Sequence, residues 1–114
     1  TVNYFTTPPY DTDENRRALV FDRPQRPEKG PTAQIVSDKS FGHSGFTGTY
    51  AWVDPEYDFI YVFLSNRIHP DIENNRLLSD DVRTKIQQLF YEAFLEQEHL
   101  KQSLEEGKLT EFLN

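Results

Sequence analysis

The 114-residue chain contains neither cysteine nor methionine. Without thiols it can form no disulfide and no thiolate-bound metal site. The lack of methionine sets a second expectation, that a chain opening on Thr1 continues a longer polypeptide rather than starting one. Cations are scarce too: 12 Lys and Arg against 19 Asp and Glu give a net charge of −7. Binding to nucleic acid through phosphate neutralisation needs Lys and Arg clustered on one face, so this composition argues against a nucleic-acid partner. The deficit is spread along the chain. Residues 1–78 carry 8 basic and 11 acidic side chains and residues 79–114 carry 4 and 8, so the two parts stand at −3 and −4 and neither is a charged tail. No apolar run approaches the roughly 18 residues that span a bilayer, and no basic-then-apolar leader opens the chain.

Aromatic mass is abundant: nine Phe, six Tyr and one Trp, each ring able to bury roughly 150–250 Å². With 36% hydrophobic and 27% charged residues, the chain has the composition of one compact segment. Residues 1–16 contain Pro8 and Pro9 and a polar run without apolar period, and are expected to form an extended connector. Strands are expected within 17–66. The first is the short apolar run from Arg17 to Asp22, which stops before Pro24 and Pro27. Phe41 and the glycines 42, 45 and 48 lead into Thr49-Tyr50-Ala51-Trp52-Val53, which predicts two strands joined tightly. Asp54-Pro55 then sets a turn into Phe59-Ile60-Tyr61-Val62-Phe63-Leu64, a hairpin arm whose unbroken apolar run predicts burial on both faces.

Ser79, followed by Asp80 and Asp81, is a candidate cap for a helix over 79–106, with Gly107 as its stop. Val82, Ile86, Leu89, Phe90, Ala93, Phe94, Leu100 and Leu104 recur at helical spacing, and Leu89, Phe90 and Phe94 are expected to face the core. The fold class is therefore α+β: a partial antiparallel sheet of three to four strands with a long C-terminal helix packed on one face.

The chemistry-bearing stretch is Gly42-His43-Ser44-Gly45-Phe46-Thr47-Gly48, followed by Trp52-Val53-Asp54-Pro55-Glu56 and, after the apolar strand, Ser65-Asn66-Arg67-Ile68-His69-Pro70. Adjacent strand residues point to opposite faces, so His43 cannot activate Ser44 as a nucleophile. His69 stands in a loop before Pro70 and His99 on the polar side of the expected helix, and neither predicts a metal site. Arg67 reads as an anchor at a strand end.

In order and spacing, this set resembles the end of β-lactamase-related serine hydrolases, a family of class C β-lactamases, penicillin-binding proteins and esterases. The resemblance runs from about Arg17 to about Phe94. It implies that His43-Ser44-Gly45 stands where the family carries a Lys-Thr-Gly or His-Thr-Gly triplet on the strand that forms a substrate-binding wall. His43 would be the proton donor and Ser44 the hydroxyl, Gly45 would let substrate approach the backbone, and the Phe46 N–H would be an oxyanion-hole donor. It implies no cofactor. The other family elements are missing: none of the six serines begins a Ser-x-x-Lys, and no Tyr-x-Asn occurs. The expectation is a C-terminal fragment of an acyl-enzyme hydrolase, without a catalytic nucleophile and inactive alone. Its first partner would be the N-terminal part of the same protein, and its location, by resemblance, periplasmic or otherwise extracytoplasmic. The alternative is a non-catalytic module of the same fold appended to another enzyme, such as an exported glycoside hydrolase. An unpaired strand edge would also favour a homo-oligomer.

Overall fold

The computed structural model describes residues 1–8, 17–24 and 31–113, with side chains as far as Lys108. Three strands, β1 (Phe41–Ser44), β2 (Tyr50–Asp54) and β3 (Phe59–Phe63), form an antiparallel sheet in the order β1-β2-β3. Three helices accompany it: α1 (Val2–Thr6), α2 (Arg76–Ser79) and α3 (Val82–Leu113). The α+β class, the three-stranded sheet and the long C-terminal helix agree with the sequence.

Register explains how the sheet is sided. Gly42 pairs with Trp52 and Trp52 with Tyr61, while Ser44, Tyr50 and Phe63 form the next row on the same face. Helix α3 lies against this face through Tyr91, which is fully buried with Trp52. Rings fill the layer. Tyr50 stacks on Trp52 with centroids 5.6 Å apart, and Phe59 meets Tyr91 edge-on at 4.8 Å and Phe94 at 5.1 Å. Gly42 makes this layer possible, because a Cβ there would overlap the Trp52 ring and the Ala51 carbonyl.

A buried polar knot joins the loop over 31–40 to this core. The Asp54 carboxylate, fully buried, accepts the Ser37 backbone N–H at 2.8 Å, the Ser37 hydroxyl, and the Tyr91 hydroxyl at 2.9 Å. The Gln87 side-chain oxygen accepts the Thr32 hydroxyl at 2.7 Å and the Ala33 N–H at 2.9 Å. Val36 is thereby held in the aromatic cluster.

Several expectations are corrected. The extended connector begins as a short helix: the Thr6 hydroxyl donates to the Val2 carbonyl, and Thr7 turns extended ahead of Pro8, as a residue preceding proline must. Residues 9–16 lie outside the described set. The strand expected over 17–22 is a tight reversal, with Ala18 N–H donating to the Phe21 carbonyl and Leu19 and Val20 exposed at its tip. Only Asp22 reaches the sheet, bridging to Gly42. Ser79 ends α2 rather than capping α3. The Asp80 N–H bonds back to the Arg76 carbonyl, and Asp81 takes a left-handed φ of 52° that re-aims the chain before α3. Gly107 does not stop α3, since a helical glycine costs only about 1 kcal/mol and no proline follows it.

The expected helix stripe is also rotated. Phe94 packs on Phe59 as expected, but Leu89 and Phe90 are largely exposed, and the fully buried line runs through Gln87 and Tyr91. Burial of β3 on both faces is not found: Ile60 is 68%, Val62 57% and Leu64 79% exposed, because among the described residues nothing covers that side.

Candidate substrate-binding wall

The site is built on the edge strand and the turn that follows it. Gly45 N–H donates to the Thr49 carbonyl at 2.7 Å and Gly48 N–H to the Gly45 carbonyl at 3.0 Å, so Gly45 to Gly48 form a β-turn. Gly48 has a φ of 93°, which favours glycine, and a Cβ there would press into Leu77 and Ser65. The turn is tied down from outside. The Thr47 carbonyl accepts the Arg67 N–H at 2.8 Å and the Ser65 hydroxyl at 3.2 Å. The Gly48 carbonyl accepts the Arg83 guanidinium at 3.3 Å, and that guanidinium lies over the Tyr50 ring. Arg67 covers the Phe46 ring at 4.9 Å and reaches Asn75.

His43, Ser44 and Gly45 line one open concavity of about 220 Å³, together with Thr49, Tyr50, Ala51, Val62 and Leu64. His43 is exposed and Ser44 half-buried, on opposite faces of the strand. The His43 Nδ1–H donates to the Ser44 carbonyl at 2.8 Å. A carbonyl only accepts, so in the neutral ring this bond places the proton on Nδ1 and leaves Nε2 as an acceptor. Phe46 does not line the concavity. It sits next in the turn, and its N–H makes no hydrogen bond among the described residues.

Tyr50 borders the concavity, but its hydroxyl is buried in the core beside Thr32 and Gln87; burial pushes its pKa far up, although these two neighbours oppose the shift. Neither neighbour reaches hydrogen-bond geometry with its hydroxyl. Tyr50 therefore stays protonated at neutral pH and cannot act as a general base there. Burial likewise raises the Tyr91 pKa, reinforced by donation to Asp54.

The sequence pattern singled out the triplet but not the apolar floor. Ala51 stands opposite His43, and Val62 opposite Ala51. That register was the available signal, once the turn at 45–48 was placed. Among the described residues no helix is long and apolar enough to cross a membrane, and no group of three or more His, Asp or Glu could hold a metal.

One family model, described as Beta-lactamase, matches residues 4–82. No curated protein and no solved structure matches the chain.

Proposed function

The chain belongs to the beta-lactamase family, and from that premise we propose that it is the C-terminal part of an acyl-enzyme serine hydrolase, supplying the substrate-binding wall and inactive alone. The observation that carries this reading is the His43-Ser44-Gly45 rim of an open concavity, in a chain with no Ser-x-x-Lys. Substrate would lie along β1, with the Ser44 hydroxyl and His43 Nε2 reaching polar groups from either side of the strand. The Phe46 N–H would offer one of two donors to the developing oxyanion. The nucleophile and its proton acceptor would come from the N-terminal part of the protein, whose packing would also cover Ile60 beside the concavity. Carried over from the family resemblance, the class C and penicillin-binding-protein kinship and an extracytoplasmic location belong to the same proposal.

The test compares this chain with the full-length protein, using nitrocefin and p-nitrophenyl butyrate. The chain alone is expected to give no turnover and no labelling by a fluorophosphonate. The full-length protein is expected to be active and to lose about 10²-fold in kcat/KM in the H43A variant. Stoichiometric acylation of a serine in this chain would refute the reading. An inactive full-length protein that lacks Ser-x-x-Lys would instead identify a non-catalytic module attached to another enzyme.

A further inference from the structure

Helix α3 has two unlike stretches. As far as Leu95 it is held by the sheet; from Glu96 to Lys108 every side chain is exposed. Helices gain most of their stability from tertiary packing, so this outer stretch, with a glycine inside it, is poorly supported by the fold alone. The apolar residues of the helix as a whole are nevertheless ordered. Ile86, Phe90, Ala93, Leu100 and Leu104 follow alternating steps of four and three residues, with Gln97 in the one polar position. At about 100° per residue this line lies roughly a third of a turn away from Gln87 and Tyr91; its inner end meets the core, where Ile86 is half-buried and the Phe90 ring lies 5.9 Å from Tyr61, and its outer end is exposed.

We propose that α3, from Phe90 outward, pairs with the same segment of a second copy as a parallel two-stranded coiled coil. Phe90, Gln97 and Leu104 take the a positions, and Ala93 and Leu100 the d positions. Charge favours the parallel arrangement. Glu96 falls at g and Lys101 at the following e, the pair that meets across a parallel dimer, twice by symmetry. Five residues apart on one helix, these two side chains point in different directions and do not meet within a chain. Lys101 already contacts Glu98 of its own helix at 3.0 Å, so the interchain pair forms by exchange and adds direction more than affinity. Gln97 at a lowers affinity and favours one register. The strand edge is a weaker route to self-association at β1, where Asp22 and Gly42 exchange both backbone hydrogen bonds at 2.8 and 3.1 Å.

Sedimentation equilibrium of the 114-residue chain tests this. A concentration-dependent dimer is expected, and the L100D/L104D variant should be monomeric with an unchanged near-ultraviolet spectrum, since neither residue touches the core. E96K should weaken the dimer roughly fivefold, and adding K101E should restore it. Because the chain has no cysteine, L100C should oxidise to a disulfide-linked dimer, as a parallel pairing demands. A monomer at every concentration would overturn the proposal. So would a dimer that survives L100D/L104D, which would move the contact to the strand edge or the open sheet face.

Discussion

The two faces of the sheet start from similar material. On one, Tyr50, Trp52, Tyr61 and Phe63 point toward α3; on the other, Ala51, Val53, Ile60 and Val62 point away. Both rows are apolar, as the period of two allows when both sides of a strand are to be covered. Yet the first row holds the core, while Ile60 and Val62 stand mostly exposed. Hydrophobicity is a demand for a partner, and the demand is met only where another element brings matching shape. Here that element is α3 with Tyr91 at its centre.

This contrast is open to direct attack. Trp52→Ala removes a fully buried ring from the filled face and should cost about 3–5 kcal/mol, while Val62→Ala on the open face should change stability by less than about 0.5 kcal/mol. Urea denaturation of the two variants measures both. Equal losses would mean that the open face is covered in solution.

A second difference appears in alkali. Tyr50 and Tyr91, both on the filled side, keep their protons in the folded state well above the ordinary value of 10.0. Stability from each is fully present below that value. As pH rises through it, the unfolded chain releases protons that the folded chain retains, so stability falls by up to about 1.4 kcal/mol per pH unit for each phenol. Denaturation midpoints should therefore drop steeply above pH 10, and the Y91F variant should show a shallower slope.

A gain rather than a loss belongs to the outer part of α3. A methyl group added at Gly107 would meet nothing within 4 Å, so Gly107→Ala should raise helix content and stabilise the chain by about 0.5–1 kcal/mol. Circular dichroism at 222 nm during thermal melting reads it.

Much of the fold was legible because the local signals were strong. The glycine-spaced turn, the Asp54-Pro55 turn and the aromatic runs located β1 to β3, and the helical period located α3. The site was legible in part: the triplet stood out by its motif, and strand alternation correctly separated His43 from Ser44. What escaped was set by partners distant in sequence. Asp54 read only as part of a turn and Gln87 carried no signal, yet both are fully buried because Thr32, Ala33, Ser37 and Tyr91 satisfy them. The core line of α3 was misread for the same reason: counting apolar residues favours Leu89 and Phe90, whereas the helix turns Gln87 and Tyr91 to the sheet.

The sequence by itself determined β1 to β3 and α3, the order in which they come and the family to which they belong, since turns, alternation and motif spacing are properties of neighbours along the chain. Only the tertiary structure decided which face of the sheet is filled, which polar side chains are buried, and that His43, Ser44 and Gly45 share one concavity with Val62 and Leu64. Those outcomes depend on register and on where α3 lies, and both are settled by packing between residues far apart in the sequence.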